Sequence, residues 1–173
     1  SDGSLYFTNP GRERLDPAQV DMAFNSVHRI TPDGRVDLAM PNVDYPNGLA
    51  FSPDERILYV SNTRPGQYIL AYDVHPDGTV SHGRHFADMS SADATNGVPD
   101  GMKVDSDGRL WTTGAGGVSV HTAEGSYLGV FEMDEHAANL TFGGADFSTL
   151  FLTAGTSVYA VETLVRGSVP GSR

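Results

Sequence analysis

Three oxygen-bearing side chains, Asn47, Asp100 and Asn139, stand at matching places along the chain: each lies seven residues before an aspartate of a turn, Asp54, Asp107 and Asp146. Amide and carboxylate oxygens are hard donors. Brought to one point they suit Ca²⁺ first, then Mg²⁺ or Mn²⁺, and they can serve Zn²⁺. The competing reading is local, because Asn and Asp also cap strand ends by bonding nearby backbone N–H groups. The shared register favours convergence for Asn47 and Asp100. Six histidines, His28, His75, His82, His85, His121 and His136, offer the common alternative ligand. His82 and His85 are three apart, which in a regular strand places them on opposite faces, and most of the six read as surface or outer-strand residues. His136, three before Asn139, is the one within reach of the same point. Ser52, Ser61 and Ser119 lie on strands without a Gly-x-Ser-x-Gly elbow, so serine-hydrolase chemistry is disfavoured.

The elements that must position these residues form a repeat. Its best copy is Pro46-Asn47-Gly48-Leu49-Ala50-Phe51-Ser52-Pro53-Asp54-Glu55-Arg56-Ile57-Leu58-Tyr59-Val60: a polar and a small residue, an apolar run, a turn with Asp, then an alternating strand. It returns at Asp100–Thr112 and Asn139–Leu152, and residues 2–8 resemble its second half. Leu5, Leu58, Leu110 and Leu150 are spaced by 53, 52 and 40 residues. A period of about 40 to 50 residues is that of a four-stranded propeller blade, so the chain reads as all-β and as a partial β-propeller over 1–173. About three and a half blades are expected: 1–41 incomplete, 47–88, 100–132 and 139–166. Strands are expected at 4–8, 27–30, 36–39, 48–52, 57–61, 68–74, 80–87, 101–105, 109–113, 117–121, 126–131, 139–143, 149–153 and 157–161. Gly-containing turns such as Asp33-Gly34 and Asp77-Gly78 separate them. In a propeller the first strand of each blade lines the channel, and these strands run the same way. Asn47, Asp100 and Asn139 would therefore gather at one mouth.

The stretch 12–25 has no sustained period and reads as a long loop with a helical turn, a place where lids occur. Gly114, Gly116 and Gly117 read as a close crossing of strands and not a phosphate cradle, since no helix pattern follows. Trp111, Tyr59 and Phe151 match one another on second strands and are assigned to packing between blades. Residues 166–173 read as a polar tail. Propellers close with about four to eight blades, so the chain suits either a small ring or part of a larger one, and the missing first half-blade favours the latter.

Composition narrows the functional classes. The formal net charge is −11, with only 11 Lys and Arg, scattered, which argues against a nucleic-acid or anionic-membrane surface. There is no Cys, so thiol chemistry and disulfides are excluded. No apolar run approaches the roughly 18 to 20 residues of a membrane helix. A soluble, cytoplasmic protein is the expectation.

The segments Pro46–Glu55, Pro99-Asp100-Gly101-Met102-Lys103-Val104-Asp105 and Asn139-Leu140-Thr141-Phe142-Gly143-Gly144 strongly resemble the gluconolactonase, regucalcin (senescence marker protein) and drug-responsive lactonase family, and the resemblance covers nearly the whole chain. It implies a six-bladed propeller with one divalent metal ion in the channel, of which this chain is similar to the C-terminal part. It further implies that Asn47 is a metal ligand through its amide oxygen, and that Asp100 is both ligand and general base. Asn139 would contact substrate or the ligands themselves. The family's remaining acidic ligand comes from the first blade, and a further channel Asn is expected just before Ser1. Asn9 stands where the family usually has Asp before proline. The implied chemistry is metal-assisted hydrolysis of a small-molecule lactone. A phosphotriesterase on the same scaffold and a non-catalytic calcium- or ligand-binding propeller are the alternatives.

Overall fold

The computed structural model describes residues 2–10, 16, 22, 24–90 and 97–169 of the 173. Most of the 12–25 loop lies outside them. The described residues form fourteen strands in four small antiparallel sheets. The first sheet holds β1 (Leu5–Asn9), β2 (Ser26–Ile30) and β3 (Val36–Pro41). The second holds β4 (Pro46–Phe51), β5 (Ile57–Asn62), β6 (Tyr68–Val74) and β7 (Val80–Asp88). The third holds β8 (Met102–Val104), β9 (Leu110–Gly114), β10 (Gly117–His121) and β11 (Tyr127–Glu132). The fourth holds β12 (Ala137–Gly143), β13 (Thr149–Ala154) and β14 (Val158–Glu162). Every strand expected from the sequence is present, most with ends shifted by one or two residues. The arrangement is all-β, four small antiparallel sheets consistent with a partial propeller-like domain.

Each sheet is a meander, and apart from the long β1–β2 connection its turns are short and carry their own chemistry. In the β2–β3 turn, Gly34 adopts φ +85°, and its N–H donates to Thr31 O at 2.8 Å. Turn aspartates then cap the following residues. Asp54 accepts from Ser52 Oγ and Arg56 N, and Asp77 from Thr79 N and Oγ1.

The apolar core lies between sheets. Val27, Met40, Val43, Leu58 and Val60 join the first sheet to the second. Ala50, Tyr59, Ile69, Ala71, Met102, Val104 and Leu110 join the second to the third. Val118, Leu140, Phe142, Leu150 and Leu152, with Trp111 against them, join the third to the fourth. Successive side chains point to opposite faces, so a strand covered on both sides, such as β5, is buried along nearly its whole length, whereas β11 and β14 are mostly exposed. The inner strands consequently meet one another: β1 touches β4, β4 touches β8, and β8 touches β12.

Three details differ from the sequence reading. Residues 166–169 are not a loose tail: Ser106 N donates to Arg166 O, Gly167 N to Phe147 O and Ser168 N to Val104 O, at 2.7–2.9 Å. The free backbone groups at the end of β8 and in the β12–β13 turn draw this segment in. Residues 170–173 lie outside the described residues. His82 and His85 do not follow simple alternation, because β7 is bulged against β6 and His82 takes φ +50°. His28 and His121 are buried within their strands, not at the surface. The glycine cluster is a close crossing, as read: a Cβ on Gly117 would stand 2.1 Å from Phe131 O.

Candidate active site

Asn47 is the second residue of β4, and Asp100 stands two residues before β8 on the neighbouring sheet. Backbone bonds hold these two segments side by side. Gly48 N donates to Asp100 O at 3.1 Å. Ser61 Oγ, at the end of β5, donates to the same carbonyl at 2.8 Å and accepts from Gly48 N at 2.8 Å. The approach is so close that a Cβ on Gly48 would lie 2.1 Å from Asp100 O. That explains why a glycine follows Asn47: a side chain there would push the two segments apart.

The Asn47 amide is fixed in turn. Its Nδ2 donates to Thr63 Oγ1 at 3.1 Å, and the Thr63 hydroxyl donates to Pro99 O at 2.7 Å. Asn47 also hydrogen-bonds the Asp100 carboxyl. Burial pushes that carboxyl above the ordinary carboxylate range. The nearby charge of His136 and the bond from Asn47 pull it part of the way back. Asn47 and Asp100 are thus brought together from two sheets, and His136, though exposed, acts on the same carboxyl.

Asn139 is placed differently from its sequence register. Phe51, Val104 and Phe142 pair with Leu58, Leu110 and Leu150. Four residues earlier stand Asn47, Asp100 and Ala138. The β12–β13 turn is longer than its counterparts, so counting seven back from its aspartate stops one residue short. The backbone agrees, since Ala138 O accepts from Gly101 N at 3.0 Å just as Asp100 O accepts from Gly48 N. Asn139 therefore occupies the position of Gly48 and Gly101. Its side chain lies against Gly101, where a Cβ would be 2.2 Å from Asn139 Oδ1, and that oxygen accepts from Leu140 N. It borders the Asp100 segment without taking the place of a third ligand.

A second set of site residues was not read from the sequence. Ser61, Thr113 and Thr153 share one position of the repeat, and each hydroxyl donates to a carbonyl of a first-strand segment. Ser61 reaches Asp100 O, Thr113 reaches Ala138 O at 3.2 Å, and Thr153 reaches Asn139 O at 3.4 Å. Their common spacing from Leu58, Leu110 and Leu150 is the signal that could have revealed them.

Among the described residues no three His, Asp or Glu side chains converge as a metal centre. Asn47 and Asp100 nonetheless fit a hard cation in donor type: one amide oxygen and one carboxylate, adjacent and half-buried. Such a cation takes about six to eight oxygens, of which these two residues would be able to supply two.

The sequence pattern of the SMP-30/Gluconolactonase/LRE-like region matches residues 1–156. The chain belongs to this family. It is 36% identical to a gluconolactonase of Zymomonas mobilis over 95% of this chain and 49% of that protein. It is 34% identical to a pentonolactonase of Haloferax volcanii over 77% of this chain and 46% of that protein. In structure it is similar to a gluconolactonase of Xanthomonas campestris, with a TM-score of 0.80 and 38% identity over 93% of this chain and 54% of the other. The chain spans about half the length of the relatives it matches. No helix among the described residues is long and apolar enough to cross a membrane.

Proposed function

We propose that this chain carries the metal- and base-bearing half of a lactonase, a hydrolase that opens a small-molecule lactone with the help of one divalent cation, Ca²⁺ in the first instance. The observation that carries the reading is the pairing of Asn47 and Asp100 across two sheets, in a chain whose relatives include a gluconolactonase and a pentonolactonase. Residues 1–173 would then contribute about three and a half blades to a six-bladed ring. Asn47, through Oδ1, and Asp100, through one carboxylate oxygen, would hold the cation. Bound there, the cation would supply Lewis acidity to the ester carbonyl as negative charge develops on its oxygen.

The remaining chemistry falls to the chain's own groups. The second Asp100 oxygen accepts a proton from the attacking water as the new C–O bond forms. When the ring C–O bond breaks, the same proton can pass to the departing alkoxide, so the product is the open hydroxy acid. Asn139 lies beside Gly101 and at the surface, which supports a role in meeting hydroxyls of the substrate.

A pH-stat assay on sugar and aliphatic lactones, run with Ca²⁺, Zn²⁺, Mn²⁺ and excess chelator, tests the reading. Turnover is expected with metal and not with chelator, and Asp100→Ala should lower it by about 10²- to 10⁴-fold in a folded protein. If chelation lowers the melting temperature while no lactone is turned over, in this chain or in one extended upstream of Ser1, the metal is structural and the enzyme reading fails.

A further inference from the structure

Thr63 departs from the repeat at a telling place. Ser61, Thr113 and Thr153 share one position in three of the four sheets, and each hydroxyl bonds a first-strand carbonyl, across to the next sheet from Ser61 and Thr113 and within its own sheet from Thr153, which marks that position as scaffold. Two residues further on, the repeat holds Thr63, Ala115 and Gly155. Only the blade that carries Asn47 has a hydroxyl there. That hydroxyl accepts from Asn47 Nδ2 at 3.1 Å and donates to Pro99 O at 2.7 Å, the carbonyl just before Asp100. One oxygen thus spans both segments of the candidate site.

Thr63 is itself held from two sides. Its backbone N–H donates to Tyr45 O at 3.1 Å, two residues before Asn47. The buried Asn62 fastens the same turn: its Oδ1 accepts from Tyr45 N, and its Nδ2 donates to Arg64 O and Gly66 O. The hydroxyl therefore has little freedom to swing away. With the amide nitrogen of Asn47 turned to Thr63 and Asp100, the amide oxygen is the end those bonds leave for another partner.

We propose that Thr63 is a positioning residue, which orients the Asn47 amide so that Oδ1 faces a cation shared with Asp100 and locks the Pro99–Asp100 backbone to it. The proposal rests on the metal-dependent reading above. Groups that orient a metal ligand typically govern affinity by about 10- to 100-fold.

The test compares Thr63→Val, Thr63→Ser and Thr163→Val. Thr163, far along the fourth sheet, donates to Ser148 O and Val165 O at 2.7 Å and serves as the purely structural control. Calcium affinity is measured by calorimetry on the metal-free chain. The Asn47 side-chain amide is followed by NMR without metal. Thr63→Val should weaken Ca²⁺ binding about 10- to 100-fold and shift the Asn47 amide signals, with Thr63→Ser close to wild type. Thr163→Val should lower the melting temperature and leave affinity unchanged. Wild-type affinity in Thr63→Val would overturn the proposal. If the wild-type chain binds no cation, the metal reading fails by itself. The Asn47 signals then decide the positioning: unshifted in Thr63→Val, they refute it; shifted, and restored by Thr63→Ser, they uphold it.

Discussion

Trp111 and Phe151 follow Leu110 and Leu150 and so hold one position of the repeat, yet their surroundings differ. Trp111 stands edge-on to Phe142 of the next sheet, with ring centroids 5.6 Å apart, and its Nε1 donates to the buried Asp105. Phe151 is 38% exposed, and on the same face of the sheet Val158 of β14 is exposed as well. The difference is the neighbour. The fourth sheet covers the third, whereas nothing among the described residues covers the fourth in the same way. The repeat specifies a strand and the face on which its aromatic side chain lies; burial comes from whatever packs against that face.

The largest expected effect separates these two residues. Trp111→Ala should destabilise the chain by about 3–5 kcal/mol, the range for truncating a large packed aromatic. Phe151→Ala should cost under about 1 kcal/mol, as an exposed substitution does. Urea denaturation of both variants checks this, and equal losses would show that the Phe151 face is covered in solution. The next effect concerns what holds Trp111 in place. Asp105 accepts from Asp107 N, Arg109 N, the Arg109 guanidinium and Trp111 Nε1. Asp105→Ala leaves those donors unmet and should cost about 1–3 kcal/mol. Asp146→Ala removes a solvent-exposed turn cap and should cost less in the same titration. A smaller effect is expected at the open face. Val158→Lys on β14 should change stability by no more than about 0.5 kcal/mol. Because β14 offers an edge with free backbone groups, the added charge should also reduce association in sedimentation. Unchanged association would mean that the edge is not what draws chains together.

The same contrast explains what the sequence could and could not show. Strand positions were legible because apolar alternation and Asp-containing turns are local, and all four sheets came from them. The pairing of Asn47 with Asp100 was legible because their two turns place both the same distance before an aspartate. Asn139 was misplaced because a single extra residue in the β12–β13 turn shifts a count without disturbing hydrophobic alternation in either strand. Thr63 was silent for another reason. Its bonds to Asn47 and Pro99 cross 16 and 36 residues, and no local pattern marks a hydroxyl whose partners are that distant. The docking of residues 166–169 was hidden in the same way, since what fixes them is the open end of β8 some sixty residues earlier.

The smallest effect on stability lies at the covered interface itself, where Asp100 sits between the second and third sheets. Burial raises its folded pKa above the ordinary 3.8, with His136 and Asn47 only partly opposing. The folded chain therefore holds this proton more tightly than the unfolded chain. Stability is highest below the unfolded value and falls as pH rises through the raised folded value, then levels off. Asp100→Asn cannot ionise and escapes that loss. The variant should melt higher than the metal-free wild type at pH 7, and the advantage should vanish near pH ~3, where the wild-type carboxyl is protonated as well. Asp100 is only partly buried and solvent screens it, so the gain should be only about a degree or two. Saturating Ca²⁺ should reverse the order by stabilising the wild type alone. Melting curves of both proteins at the two pH values, with and without Ca²⁺, check the sign. A wild type more stable than the variant at pH 7 without metal would mean that the Asn47 and His136 contacts outweigh burial, and that the carboxylate is seated in a favourable site before any cation binds.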